Sequence, residues 1–531
     1  MTDPLLSPDQ IGALRAALRD ANFTPQGVAD RLGETASAAL GRAEFLAVRH
    51  ELRNRGGDDP LGTLIDLFPT GGTVDEKAAD AAFGAFGLAG AISTGLVEKV
   101  GDGVRAALDL SPYGDDDGDW WVLSDLGSDV RPGPVRGDHV LGVGGASVTL
   151  AQSTVRPTVG SALDLGTGCG VQALHLSRHV DAVTVTDLSE RAIRFAVTNA
   201  ALNGFTWEAV RGDFVAPVAG RRFDLVVSNP PFVVGPARAS RERMVYRDSG
   251  RVGDGICSEL VGALPGLLAP GGYGQLLANW LHIEGEPWEE RVGGWLEATG
   301  LDAHAVQREA LDPAGYVALW LRDAGELSGS DAERRTAEWL DWFTENRVDA
   351  VGFGLISVHA AGSDQPVVRV EEAMQEHDTV IGPEVAAWFS RVAFVRGADL
   401  LASRFVAAPS LRLRQTASRG ADGWEVDQQV LALESGWRWA QEVDPVTVAL
   451  VSGCDGSVTL GDQLSVLAAA YEAEPVALAT VAIPLVGRLV ERGLLLPADG
   501  VAGAGFAGGA GVAGGAGAAG GAGAAGAAGS R

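Results

Sequence analysis

The beginning of the chain has the spacing of amphipathic helices. In SPDQIGALRAALRDA the apolar residues Ile11, Leu14 and Leu18 fall on one helical face behind a Ser-Pro start. The helical pattern continues to about Arg55, and short helices followed by a glycine-turned hairpin come next. This order is typical of a winged-helix unit, although other small α+β units share it. We therefore predict a helical, winged-helix-like N-terminal domain over residues 1–118, a kind of module that contacts protein as readily as DNA.

From about Asp119 strand-like apolar runs alternate with helical segments. The runs include SALDLGTG, AVTVTDLS, FDLVVSNPP and GGYGQLLANW. Such alternation predicts an α/β fold with a mainly parallel sheet and crossover helices. HAVQREAL and GYVALWLRD are expected to form a final antiparallel hairpin, so this domain is predicted to cover residues 119–323.

Two segments with different patterns follow this domain. Residues 324–499 begin with a helical pattern and continue with strands, which predicts an accessory α+β domain with a second winged-helix-like pattern near its end. Residues 500–531 are almost wholly Gly and Ala, without charge or periodicity. A segment of this composition cannot bury a core and is predicted to be disordered.

Charge and cysteine content limit the function classes. The formal net charge of −28 disfavours broad binding of nucleic acid, unless basic residues gather locally. The cysteines Cys169, Cys257 and Cys454 form no CxxC pair, and the histidines have no metal-ligand spacing, so neither a disulfide framework nor a metal site is expected. The chain begins without a signal-peptide pattern and has no run of about 18 apolar residues. We expect a cytoplasmic protein with no membrane partner.

A glycine run follows the first strand of the α/β domain. Asp164, Gly166, Gly168 and Gly170 alternate along DLGTGCG at the start of a helix. Such a turn lets a ligand approach the backbone, and the free N–H groups of the helix start face that ligand. A dinucleotide fingerprint would need a third glycine where Val171 stands. The run instead resembles motif I of class I S-adenosylmethionine-dependent methyltransferases.

Asp187 ends the second strand, about twenty residues after the glycine run. A carboxylate at this place can accept hydrogen bonds from both ribose hydroxyls of a nucleoside ligand. The alternative is that Asp187 and Ser189 only cap the following helix. Ser189 has the better position for a cap, which leaves Asp187 for the ribose.

The third strand ends on Asn229-Pro230-Pro231-Phe232. The prolines fix the backbone and donate no hydrogen bonds, so the turn offers acceptors. The Asn229 side-chain oxygen and the Pro230 carbonyl can accept both hydrogens of a planar NH2 group, while Phe232 stacks on its plane. This arrangement favours catalysis by orientation of a weak nitrogen nucleophile. A purely structural turn is the alternative.

Together these motifs resemble the HemK-type N-methyltransferases, which modify the glutamine of translation release factors, and their nucleic-acid relatives with a related Pro-Pro motif. The resemblance covers residues 161–323 and includes the LAPGG stretch before the next strand. Phe232 departs from the tyrosine that is usual in the glutamine-modifying members. This departure means that two methyl acceptors remain possible. One is a glutamine amide of a translation-factor-like protein, and the other is an adenine or guanine amine in structured RNA or DNA. A non-catalytic cofactor-binding or regulatory protein on the same scaffold is a further alternative.

The resemblance also implies S-adenosyl-L-methionine as cofactor and a Rossmann-like core. Asp213, with Phe214 beside it, lies where such enzymes bind adenine. The implied cofactor residues are Asp164, Gly166, Gly168, Gly170, Asp187, Asp213, Phe214 and Asn229. The implied catalytic residues, which orient the acceptor, are Asn229, Pro230, Pro231 and Phe232.

Overall fold

A computed structural model describes residues 3–56, 59–128, 130–131, 135–236, 250–323, 330–421 and 423–500. The chain divides into two compact units. The first contains residues 3–151 and Val159–Val370, and the second contains Gln152–Thr158 and residues 371–500. The predicted disorder of the Gly/Ala segment concerns residues that lie outside the described ones, except Gly500.

The N-terminal region is helical up to residue 93. Its helices are α1 (Pro8–Asp20), α2 (Pro25–Gly41), α3 (Phe45–Asn54), α4 (Pro60–Leu67), α5 (Glu76–Phe83) and α6 (Gly87–Ser93). The side chains of Ser7, Thr24 and Asp59 cap helices that have proline in their first turn. The strands β1 (Thr73–Asp75), β2 (Val97–Val100) and β3 (Gly103–Ala106) form a small sheet in the order β1-β3-β2. From α4 onward the elements follow in the order α4, β1, α5, α6, β2 and β3, and the winged-helix assignment of this region stays a prediction.

A hairpin crosses the predicted boundary at residues 118 and 119. Its strands are β4 (Asp109–Asp115) and β5 (Gly118–Ser124). The boundary is therefore wrong, because it falls inside β5 and would divide one hairpin. The N-terminal helices, this hairpin and the α/β sheet belong to the same compact unit.

An eight-stranded sheet forms the centre of the first unit. Its strands are β6 (Val159–Leu165), β7 (Val180–Asp187), β8 (Glu208–Arg211), β9 (Phe223–Ser228), β10 (Leu268–Ile283), β11 (Asp302–Leu311), β12 (Val348–His359) and β13 (Val368–Glu372). They lie in the order β13-β11-β12-β10-β9-β6-β7-β8. The pairs from β10 through β9, β6 and β7 to β8 are parallel, which confirms the predicted Rossmann-like α/β fold.

Helices connect the strands of this sheet. They are α7 (Gly145–Ser153), α8 (Val171–Leu176), α9 (Glu190–Asn203), α10 (Gly255–Leu267), α11 (Trp288–Glu297), α12 (Pro313–Asp323) and α13 (Ser330–Glu345). Buried side chains of α10 and α11 join those of β9 and β10 in one apolar core. This core fixes the sheet whose carboxyl edge carries the site.

The final hairpin differs from the predicted one. The segment GYVALWLRD is helical and belongs to α12, whereas β12 pairs antiparallel with both β10 and β11. The Asp312 side chain accepts a hydrogen bond of 2.8 Å from the Gly315 N–H, and Pro313 opens the helix. The boundary at Asp323 is thus wrong, since β12 lies inside the sheet and the first unit continues to Val370.

The second unit combines helices with short strands. Its elements are α14 (Gly382–Gly397), β14 (Phe405–Ala407), β15 (Leu411–Arg419), β16 (Trp424–Leu433), β17 (Ala440–Glu442), α15 (Pro445–Ser452), α16 (Leu460–Ala470), α17 (Pro475–Glu491) and β18 (Leu495–Pro497). The strand β18 pairs with β14. Among the described residues after α17 there is consequently no hairpin of consecutive strands, as the predicted C-terminal winged helix would require.

Candidate active site

The glycine run forms the turn between β6 and α8. Gly166, Gly168 and Gly170 have φ angles of 74°, 55° and 93°, which side chains rarely adopt. A Cβ atom on Gly166 or Gly168 would meet nothing within 4 Å, so this side of the turn is open. A Cβ on Gly170 would lie 2.7 Å from the Trp207 ring. The first two glycines thus allow a ligand to approach the backbone, and the third allows close packing.

Asp164 lies buried beneath this turn. Its Oδ2 accepts hydrogen bonds from Thr167 Oγ1 at 2.6 Å and from the Ala173 N–H at 3.2 Å. Burial raises the pKa of Asp164 to about 7, although both hydrogen bonds act in the opposite direction. Asp164 therefore ties the turn to the first residues of α8. Thr167, which the motif analysis did not single out, lies between Gly166 and Gly168.

Asp187 connects the second strand to the glycine turn. Its Oδ2 accepts the Gly168 N–H at 3.0 Å, and its Oδ1 accepts the Ser189 N–H at 2.8 Å. The cap of α9 is the Ser189 hydroxyl, which accepts the Ala192 N–H at 3.3 Å. Burial raises the pKa of Asp187. Each carboxylate oxygen can accept more than one hydrogen bond, so both retain capacity for ribose hydroxyls.

Asp213 and Phe214 follow the end of β8. The Gly212 N–H donates to the Asp187 carbonyl at 3.0 Å, which joins this turn to the end of β7. Asp213 is exposed, and Phe214 is half-buried with a φ of 52°. The Arg251 guanidinium lies 5.5 Å from the Phe214 ring centroid. A left-handed φ is costly for a bulky residue, so the surrounding contacts hold this ring in place.

The Asn-Pro-Pro-Phe turn leaves β9 beside the glycine turn, because Ser228 aligns with Leu165 of the parallel strand β6. Asn229 Oδ1 is buried and has no hydrogen-bond partner among the described residues. The Pro230 carbonyl accepts the Phe232 N–H at 2.8 Å and keeps one lone pair free. A buried unpaired acceptor costs roughly 1–3 kcal/mol, so its presence calls for a functional explanation.

Aromatic residues of α12 lie against this turn. The rings of Phe232 and Trp320 are 6.2 Å apart at an angle of 68°. Tyr316, one helical turn earlier, is fully buried. Sequence analysis missed both residues because it assigned their segment to a strand. The spacing of four between two aromatic residues behind Asp-Pro was the available signal for a helical face.

The described residues outside these turns offer little other chemistry. The thiol of Cys169 is buried, which raises its pKa to about 12 and keeps it protonated at neutral pH. Within the described ranges no group of three or more His, Cys, Asp or Glu side chains could hold a metal ion. Over the same part of the chain no helix has the length and apolar character needed to cross a membrane. The candidate site therefore lies at the ends of β6, β7, β8 and β9.

Comparison with known proteins places this region in a family. Residues 142–248 match the methyltransferase small domain. Residues 20–107 and 386–497 match two domains of unknown function, DUF7059 and DUF7782.

Two curated relatives and one solved structure are similar to parts of the chain. The release factor glutamine methyltransferase of Deinococcus radiodurans is 36% identical over 141 residues, which is 25% of this chain and 50% of the relative. The ribosomal RNA small subunit methyltransferase C of Cronobacter sakazakii is 37% identical over 131 residues, which is 24% of this chain and 36% of the relative. A 16S rRNA methyltransferase of T. thermophilus, solved with AdoMet and guanosine, is 20% identical with a TM-score of 0.25, over 49% of this chain and 66% of that chain.

The chain spans half or less of the length of these two curated relatives. The open glycine turn and the carboxylate of Asp187 fit the cofactor of such enzymes, S-adenosyl-L-methionine. The segment around residues 142–248 belongs to the methyltransferase small domain family and is a HemK-like class I S-adenosylmethionine-dependent methyltransferase domain.

Proposed function

We propose that the protein is an S-adenosylmethionine-dependent N-methyltransferase that acts on a planar NH2 group. The observation that carries the proposal is the buried oxygen of Asn229, which has no hydrogen-bond partner among the described residues. An NH2 group of the acceptor would satisfy this oxygen with one hydrogen. The free lone pair of the Pro230 carbonyl would accept the other hydrogen.

The cofactor would supply a methyl group on a sulfonium sulfur. The backbone at Gly166 and Gly168 and the carboxylate of Asp187 would hold it at the open turn. Asp213 and Phe214, at the end of β8, would bind its adenine. These residues would orient the cofactor beside the end of β9.

The chain's own contribution to the reaction is orientation and charge stabilisation. As the acceptor nitrogen becomes a nucleophile, its hydrogens become more positive, so their hydrogen bonds to Asn229 and Pro230 strengthen. The Phe232 ring would stack on the acceptor plane and align the nitrogen with the methyl group. Nothing in this scheme needs a protein nucleophile, which agrees with the protonated Cys169 thiol.

A glutamine amide of a protein is the acceptor that we favour. The net charge of −28 opposes a polyanionic partner. The helix α6, which would be the recognition helix of the predicted winged-helix unit, has the sequence GLAGAIS and carries no cation. DNA recognition by such a helix depends on polar and basic side chains in the groove. The release factor glutamine methyltransferase of D. radiodurans is a relative with a protein acceptor in its name.

An amine of a nucleic-acid base is the second candidate. Phe232 and Trp320 bring two aromatic rings together at the turn, and an aromatic base could stack on the Phe232 ring. Bases stack on such surfaces with about 1–3 kcal/mol each. The relative named ribosomal RNA small subunit methyltransferase C is in line with this acceptor.

Labelled cofactor provides the test. The protein is incubated with methyl-labelled S-adenosylmethionine and cell extract, and the products are then treated with nuclease or protease. A labelled species that protease removes supports the glutamine acceptor, and one that nuclease removes supports the base amine. Asn229→Ala should abolish most of the label, whereas Asn346→Ala, a change of an exposed asparagine directly after α13, should not. Cofactor binding without any labelled species would overturn the proposal in favour of a non-catalytic scaffold.

A further inference from the structure

Two helices, α12 and α13, form the connection between the strands β11 and β12. Because β12 is antiparallel to both β10 and β11, the strands β10 and β11 run in the same direction. The carboxyl end of β11, where α12 begins, therefore lies at the same edge of the sheet as Asn229. The helices α12 and α13 return the chain to β12 from that edge.

These helices hold the backbone that follows the Asn-Pro-Pro-Phe turn. Tyr316 Oη accepts the Val234 N–H at 2.8 Å and also the Asn279 amide at 3.0 Å. Trp339 Nε1 donates to the Val234 carbonyl at 2.9 Å. A Cβ atom on Gly235 would overlap the Trp339 indole, so the two helices leave no space around this backbone. Both polar groups of Val234 are thus bound by side chains of the insertion.

The same helices support the ring of Phe232. Trp320 meets Phe232 edge to face, and Tyr316 meets Trp320 at 6.1 Å and 63°. Val234, Tyr316 and Trp339 belong to one buried cluster, against which Trp320 packs. The orientation of Phe232 therefore depends on a continuous row of rings that begins in the buried interior.

We propose that Tyr316 and Trp320 are positioning residues for methyl transfer, which rests on the proposed function of Asn229 and Phe232. Tyr316 fixes the backbone that carries the turn, and Trp320 fixes the plane on which the acceptor stacks. Neither residue touches the cofactor loop in this scheme. Their effect should therefore fall on turnover and acceptor recognition, and cofactor affinity should stay the same.

The test removes a single oxygen atom. Tyr316→Phe keeps the ring and deletes the acceptor of the Val234 N–H. We expect turnover to fall by about 10- to 100-fold, with the affinity for S-adenosylmethionine within about twofold of wild type. Amide hydrogen exchange of the 230–236 segment should become faster, which is a readout that needs no acceptor. Trp320→Leu should mainly raise the KM for the acceptor.

Tyr273→Phe is the matched control. Tyr273 is a largely buried tyrosine in the first half of β10, whereas Asn279, which contacts Tyr316, lies in the second half. Tyr273→Phe should leave turnover and the exchange of the 230–236 segment unchanged. Wild-type turnover by Tyr316→Phe, or unchanged exchange in that segment, would overturn this proposal. Absence of methyl transfer by the wild-type protein would instead count against the proposed function, while the exchange measurement would still decide the role of Tyr316.

Discussion

At the scale of single residues, the proposed role of Asn229 can be tested by measuring both the stability and the turnover of a variant. The buried Oδ1 atom of Asn229 accepts no hydrogen bond from the described residues, so a variant without this oxygen loses no such bond. We expect Asn229→Ala to keep or slightly raise the melting temperature, since an unpaired buried acceptor disappears. Turnover should fall on the order of 10²- to 10³-fold, as for one preorganised transition-state partner. Thermal unfolding and steady-state kinetics measure the two effects.

A structural role would give the opposite pattern for Asn229→Ala. If the turn needs the asparagine for its own conformation, the melting temperature should drop and cofactor affinity should decrease with it. Asn229→Asp keeps an acceptor of the same shape. Residual activity of this variant on an aromatic amine would therefore favour the base-modifying function.

The raised pKa of Asp164 predicts that the free energy of unfolding depends on pH. Its pKa is about 7 in the folded protein, above its usual value of 3.8, because the carboxyl group is buried. The folded state thus holds the proton more tightly than the unfolded state. The resulting stabilisation is complete below about pH 4 and is lost as the pH rises through about 7.

Asp164→Asn has no such titration and provides the comparison. The difference in unfolding free energy, wild type minus variant, should decrease with rising pH by at most roughly 1.4 kcal/mol per pH unit over this window. Urea unfolding of both proteins at a series of pH values measures this difference. Parallel curves would show that the buried carboxyl group keeps its ordinary pKa.

Single residues also show which features of the site can be predicted from the sequence alone. The alternation of Gly166, Gly168 and Gly170 predicted an open turn because a positive φ at each position is a local property of glycine. The contact of Gly170 with Trp207 was not predictable, since it joins residues from different elements. The same limit hid the hydrogen bond between Val234 and Tyr316, which are 82 positions apart.

At the scale of elements, the β4–β5 hairpin is joined to α9 by one buried side chain. Asn199 Oδ1 accepts the Leu123 N–H at 2.8 Å, and its amide donates to the carbonyls of Leu123 and Cys169 at 2.9 and 2.8 Å. Asn199→Ala leaves these three backbone groups without their partner. We expect a loss on the order of 3 kcal/mol in the free energy of unfolding.

Cofactor affinity should decrease in this variant as well, because Cys169 belongs to the glycine turn. Denaturant unfolding and calorimetry test the two effects, with Asn54→Ala as the control. Asn54 is exposed, and its side chain forms a hydrogen bond only to His50 within the described part of the chain, so its removal should change neither quantity. A stable Asn199→Ala protein with normal affinity would mean that the hairpin does not support the turn.

The element that sequence analysis assigned wrongly is α12. The large apolar residues of GYVALWLRD are spaced closely enough to resemble a strand, and only the Asp-Pro start and the aromatic residues four positions apart indicate a helix. Short apolar segments are ambiguous between the two periods, and tertiary contacts decide them. Here the burial of Tyr316, Val317 and Leu321 on one helical face decides for the helix.

At the scale of the whole molecule, domain boundaries were the least predictable property. The strand that completes the sheet, β12, enters between β10 and β11 after two intervening helices. No local pattern in VDAVGFGLISVH shows where a strand inserts, because strand order depends on long-range pairing. The parallel strands β6, β7, β9 and β10 were predictable, since each of them is followed by a helix, whereas β8 is not.

Truncation tests the corrected boundary. A chain that ends at Asp323 lacks β12, so β10 and β11 lose their shared neighbour inside the sheet. We expect this chain to be unfolded and unable to bind S-adenosylmethionine. A chain that ends at Glu372 keeps all eight strands and should bind the cofactor. Circular dichroism and calorimetry on both chains measure the outcome; cofactor binding by the shorter chain would restore the boundary at Asp323.

The net charge of the protein leads to a prediction about how salt affects binding of the acceptor. A protein that contacts nucleic-acid phosphates releases counterions, so six to ten such contacts lower affinity by roughly 10³- to 10⁵-fold between about 50 and 200 mM salt. Acidic residues outnumber basic ones by 69 to 41, which disfavours such contacts, and Arg49 and Arg55 are already paired with Asp66 and Glu51, respectively.

If a protein glutamine is the acceptor, its KM should change by less than about tenfold over the same salt range, because surface charge pairs are weak and screened. The measurement uses the labelled species identified in the extract, purified and titrated at both salt concentrations. The Asn229→Ala variant serves as the blank for background label. A steep rise of KM with salt would show that phosphate contacts dominate binding, and the acceptor would then be the amine of a nucleic-acid base.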